Sequence, residues 1–170
     1  MKKRLVILAL ALVMIVTPVF AIGGVAEDDT VGVGLNLGTN TGVALRFGLG
    51  DFDILSNLGF SMLRAFEGDF GMSGDVAFSW NYYTIDGGRG LEFPLTLGVG
   101  ANVDIDFSND FNTDFAILFP IGIEYNFAQL NSDVPITVYF RFAPGFSIIQ
   151  NSKADVGFAY GVYLGAMWNF

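Results

Sequence analysis

The sequence predicts an all-β fold, a transmembrane up-and-down antiparallel β-barrel of about eight strands, on three observations. The chain is 52% hydrophobic with a mean hydropathy of +0.52, yet only its N-terminus holds a long apolar run. Beyond that run, apolar residues recur at alternate positions, which is the period of a strand and not of a helix. The charges of these segments fall on the face opposite the apolar one. A sheet that turns every second residue to lipid accounts for all three.

Residues 1–21 read as a signal peptide. Lys2, Lys3 and Arg4 supply the positive start, and Leu5 to Val16 supply the apolar stretch. Pro18 then ends the helix, and Val19-Phe20-Ala21 brings small residues to the cleavage point. The alternative is an uncleaved anchor, since Leu5 to Ala26 carries no charge. Pro18 and the Gly23-Gly24 pair interrupt that helix short of the ~20 residues a span needs. Residues 22–170 are then one barrel domain, with Ile22 as the first mature residue. The chain has no Cys, hence no lipid-anchored cysteine, disulfide or thiolate site.

Eight segments carry the alternation, in order Val31–Gly38, Gly42–Leu49, Phe52–Leu63, Phe70–Tyr83, Phe93–Phe107, Phe115–Phe127, Ile136–Ile148 and Val156–Phe170. The last is the clearest. Its even positions run Val156, Phe158, Tyr160, Val162, Leu164, Ala166, Trp168, Phe170, while the odd ones are mostly Gly, Ala or polar. Turn signals separate the segments at Thr39-Asn40, Gly50-Asp51, Arg64 to Asp69, Thr84 to Leu91, Ser108 to Asn112, Gln129 to Pro135 and Gln150 to Asp155. Arg46, Asp53, Asp75, Asp104, Asp106, Asp114, Glu124 and Arg141, in or beside these segments, all share the polar face. A soluble sandwich or lipocalin would place them the other way round. A Gly-rich, charge-bearing face suits the tight interior of a small barrel.

The C-terminus, Tyr163-Leu-Gly165-Ala-Met-Trp168-Asn-Phe170, resembles the assembly signal of bacterial outer-membrane barrels, with Tyr163, Gly165, Trp168 and Phe170 at its defining positions. Over residues 22–170 the layout is similar to the OmpA/OmpX-like class of small eight-stranded barrels. Leu37-Gly-Thr-Asn-Thr-Gly42, Phe93-Pro-Leu-Thr-Leu-Gly-Val-Gly100 and Phe119-Pro-Ile-Gly-Ile-Glu-Tyr125 also resemble a family of small bacterial barrels. The resemblance implies export through the periplasm to the bacterial outer membrane, outer-membrane lipid as surroundings, and reading of the last strand by the barrel-assembly machinery. It also implies periplasmic termini, so that Trp80, Tyr82, Tyr125, Phe127, Trp168 and Phe170 form one interfacial girdle.

The chemistry is restricted. With no His, neither a Ser-His-acid triad nor a His-ligated metal is available, and no enzyme activity, cofactor or metal is expected. The stretch from Asp104 to Asp114 invites a calcium reading but lacks the Gly and Glu of an EF-hand loop. Gly32, Gly34 and Gly38 do not have dinucleotide spacing. Cleavage after Ala21 leaves five basic against 17 acidic residues, a net charge of −12, which argues against nucleic acid.

Arg46, Asp75, Glu124 and Arg141 are the candidate lumen charge network. They either plug the barrel or gate a narrow conduit. Two roles follow: a structural, cell-envelope or surface-interaction protein, or a porin-like small-solute channel. Pairing Ala128 with Thr137 would set Glu124 directly opposite Arg141.

Overall fold

The computed structural model describes residues 24–26, 29–107 and 111–170; the expected signal peptide lies outside them. Its strands are β1 (Val31–Gly38), β2 (Asn40–Gly48), β3 (Asp53–Ser61), β4 (Gly71–Gly88) and β5 (Leu91–Asp106). They continue with β6 (Asn112–Leu118), β7 (Ile121–Asn126), β8 (Ile136–Gln150) and β9 (Lys153–Asn169). One helix, α1 (Met62–Glu67), joins β3 to β4. The nine strands form a single antiparallel sheet in the order β4-β3-β2-β1-β9-β8-β6-β5-β7, with further pairings of β4 to β5 and of β7 to β8. The β4–β5 ladder joins the two sides of that order, so the pairings run from β1 round to β9 and back to β1.

The expected transmembrane up-and-down barrel of about eight uniform strands is therefore corrected to a nine-stranded antiparallel sheet with a helical insertion. The segment Phe115–Phe127 is two strands. Pro120 has no N–H to give a ladder, and the chain leaves regular pairing at Phe119-Pro120. Register with β5 is the same on both sides of the break, Gly100 facing Leu118 and Leu97 facing Ile121. No helix among the described residues is long and apolar enough to cross a membrane, a statement that leaves strands out of account.

Three expected turns also change. Arg64 to Asp69 is mostly the helix α1, closed by Gly68 at φ 90, whose N–H bonds the carbonyls of Ala65 and Arg64. Thr84 to Leu91 is mostly strand. The β-formers Tyr82, Tyr83, Thr84 and Ile85 carry the β4–β5 hairpin out to a two-residue tip at Arg89 and Gly90. Both tip residues have positive φ, 58 and 78, as hairpin twist requires. The turn between β8 and β9 shrinks likewise to Asn151 and Ser152, at φ 49 and 59.

Polar side chains point into the sheet and large apolar ones point out. Arg46, Asp53, Glu124 and Arg141 are buried, with Asn36, Asn57, Thr96 and Thr137 among them. Leu35 is 67% exposed, and Leu58, Phe140, Phe158 and Leu164 are exposed beside it or on other strands. Rings gather at both ends of the strands. At one end Phe93 stacks on Tyr125 with centroids 5.2 Å apart, and Phe127 meets Tyr125 edge-to-face at 5.0 Å. Phe60, Phe70, Phe107 and Phe111 run in a chain 5.5 to 6.3 Å apart at the other.

Candidate functional site: an ion-paired interior

Arg46 on β2, Glu124 on β7 and Arg141 on β8 meet inside the sheet. One Glu124 oxygen, Oε1, accepts from Arg141 Nη2 at 2.7 Å, and the other, Oε2, accepts from Arg46 Nη2. β2 and β7 are not paired strands, so the Arg46–Glu124 bridge spans the interior. The direct opposition of Glu124 and Arg141 is corrected. Arg141 faces Gly122, and Glu124 faces Tyr139, two residues along the ladder. Contact survives because these side chains are long and because Gly122 leaves the diagonal open. A Cβ at 122 would sit 2.8 Å from Arg141 Cγ.

Tyr139 fixes Arg141 from the other side. The guanidinium carbon lies 3.9 Å from the centre of its ring, and its hydroxyl donates to Asn36 Oδ1 at 3.0 Å. To reach β1 the ring must cross β9, and it does so over Gly165, its direct partner. Burial, against the opposing charge of Arg141, pushes the Tyr139 hydroxyl up to about 12, so it stays a donor at neutral pH.

Asp75 is not part of the ion-paired cluster. Asn57 stands opposite it on β3 and donates at 2.7 Å, and Asn40 donates at 3.0 Å. The two carboxyls are driven in opposite directions. Burial alone would raise Glu124, but Arg46 and Arg141 together hold it below the ordinary carboxylate range. For Asp75 burial prevails, and its carboxyl is raised despite the two amides and the charge of Arg141. A raised carboxyl adds stability at low pH that is lost as pH rises through its folded value. Asp75→Asn is therefore expected to cost no stability at neutral pH and to flatten the pH dependence above the carboxylate range. Unfolding curves across pH 4–8 check this; a loss at neutral pH would show that the charged form is the favoured one.

Two charged groups were not singled out from the sequence. Arg64 on α1 bonds three carboxylates at once, Asp104 at 2.5 Å, Asp106 at 2.8 Å and Asp114 at 2.6 Å. Burial alone would lower its guanidinium, but these carboxylates hold it above its usual range. Gly71 makes the room, since a Cβ there would lie 2.5 Å from Arg64 Cδ. At the other end of the strands Asp53 accepts from the backbone N–H of Val25 at 2.9 Å and of Ala26 at 3.3 Å. The nearest sequence signal for Arg64 is that it is a lone base in the β3–β4 connection, followed by Gly71 and preceding an acid-rich stretch.

The C-terminal residues have structural reasons of their own. Tyr163 is buried beside Asp75, and Gly165 underlies the Tyr139 ring. Trp168 pairs with both Val33 and Ile136, and the Phe170 N–H donates to the Val31 carbonyl at 2.9 Å.

No family model, curated protein or solved structure matches the chain. The resemblance to OmpA/OmpX-like barrels thus gains no match. The nine-stranded sheet with its helical insertion replaces the eight-stranded layout on which the implied expectations rested, and they are corrected with it: bacterial outer-membrane localisation, a setting in outer-membrane lipid, engagement of the barrel-assembly machinery, and an envelope or porin-like channel role. Packing within the sheet accounts for Tyr163 and Gly165, while the Trp168 and Phe170 rings are exposed and these residues pair through their backbones. Inside the sheet both oxygens of Glu124 are taken up by Arg46 and Arg141, while Nε of each arginine has no hydrogen-bond partner. Among the described residues no group of three or more His, Cys, Asp or Glu could hold a metal ion.

Proposed function

We propose that this chain is a non-enzymatic protein that works through its outer surface, in contact with an apolar phase. The observation that carries this is the inversion of the usual order, with Arg46, Glu124 and Arg141 buried and Leu35, Leu58, Phe158 and Leu164 exposed. Monomeric proteins in water rarely leave contiguous apolar patches beyond a few hundred Å² uncovered. Here the apolar side chains stand on strands all round the sheet, including β1, β3, β8 and β9, so one docked partner would leave most of them bare. Amphiphile chains can surround such a face on every side. Arg46, Glu124 and Arg141, meanwhile, bind one another.

The test is refolding of residues 22–170 from urea with and without a mild non-ionic detergent above its micelle concentration. Monodisperse, sheet-rich protein is expected only with detergent. A folded, monodisperse species in plain buffer would overturn the reading.

A further inference from the structure

We propose that a small monovalent cation of the sodium or potassium kind binds inside the sheet, in the cavity under α1. This inference concerns the interior and is independent of what covers the outer face. The cavity measures about 50 Å³ and is lined by Asn40, Ser61, Ser73, Asn102, Asp104 and Tyr163, among others. Every polar group on that lining is an amide, a hydroxyl or a carboxylate, and no cationic side chain is part of it. The volume suits one ion with a water or two.

Asn40 supplies the independent sign of a ligand. It is 2% exposed, and its Oδ1 has no hydrogen-bond partner. Its Nδ2 donates to Asp75 Oδ2, and Asp75 lines a separate cavity together with Arg141. Turning the amide over would set oxygen against the ionised carboxylate, so with Asp75 charged the amide keeps this orientation and its oxygen is the end left for the cavity under α1. A buried acceptor without a donor is costly to leave unmet, and a coordinated cation removes that cost. Ser61 and Ser73 add buried hydroxyl oxygens, and the Asn102 amide nitrogen is already engaged by Ser73 Oγ at 2.9 Å.

Charge favours the same guest. Arg64 sets one positive charge against the three carboxylates of Asp104, Asp106 and Asp114, and Asp104 borders the cavity. The surroundings are acidic, and the lining is otherwise neutral oxygen. Divalent ions ask for several carboxylates in the first shell, whereas one shared carboxylate with amide and hydroxyl oxygens suits a single charge.

Two measurements on the folded chain test the site. Thermal unfolding in potassium, sodium or choline chloride at equal ionic strength should give a Tm about 2–4 °C higher in at least one alkali salt than in choline. Asn40→Leu should abolish that difference, whatever its own stability; should it not fold, Ser73→Ala serves the same comparison. Crystals soaked in thallium(I) should show an anomalous peak between Asn40 and Asp104. Equal Tm in all three salts with no thallium peak would overturn the proposal and leave the cavity to water. A salt effect that survives both substitutions would place the cation elsewhere and overturn it equally.

Discussion

Glu124→Gln is expected to destabilise the fold by about 3–5 kcal/mol, the range for removing one member of a buried ion cluster. Glu124 is 1% exposed and is the acceptor for both Arg46 and Arg141. Without its charge, two buried guanidinium groups remain without an ion-paired carboxylate. Among the described residues neither forms another ion pair: Arg46 feels Asp53 and Arg141 feels Asp75 only through space, and Nε of each already lacks a hydrogen-bond partner. The carboxyl is held below its ordinary range, so its contribution is complete above the unfolded value and lost as pH falls through the folded one. The wild type should therefore lose stability on the acid side, and the Gln variant should show a flatter acid limb. Urea unfolding as a double-mutant cycle with Arg141→Met checks the coupling. Removing both partners should cost well below the sum of the single losses. Strict additivity would mean that the two charges do not stabilise one another.

The alternation legible in Val156–Phe170 and Ile136–Ile148 became β9 and β8 because a period of two needs only neighbouring residues. Register was harder. A pattern of period two is unchanged by a slip of two residues, which is how Glu124 came to face Tyr139 and not Arg141. The break at Pro120 was readable in principle, since Pro cannot donate within a ladder, but alternation ran on across it. Of the four residues singled out for the interior, Arg46, Glu124 and Arg141 meet, while Asp75 is held by amides. That difference depends on Asn57 and Asn40, which approach from β3 and β2 and leave no trace beside Asp75 in the sequence. Arg64 lay furthest from view. Its partners are 40 to 50 residues away, and its helix is one turn and a half with no apolar period to announce it.

That same remoteness makes Arg64 the group on which the packing of α1 depends. Arg64→Ala is expected to cost about 2–4 kcal/mol, less than Glu124 because Asp114 is one-third exposed and partly screened by solvent. Asp104 and Asp106 are more enclosed and would stand side by side on β5, with Asp114 directly across from Asp104, without their counter-charge. Arg64→Lys should recover only part of the loss. An ammonium is a point charge, whereas the planar guanidinium sends Nε, Nη1 and Nη2 to three separate carboxylates. Gly71→Ala supplies a control that keeps every charge, since its methyl would press on Arg64 Cδ. It should loosen α1 while leaving the Arg46–Glu124–Arg141 cluster intact. Amide exchange localised to residues 62–71, with urea unfolding for the total, reads both effects. A loss below about 1 kcal/mol in Arg64→Ala would show these bridges behaving as surface pairs, and α1 would then be held by Leu63 and its apolar neighbours instead.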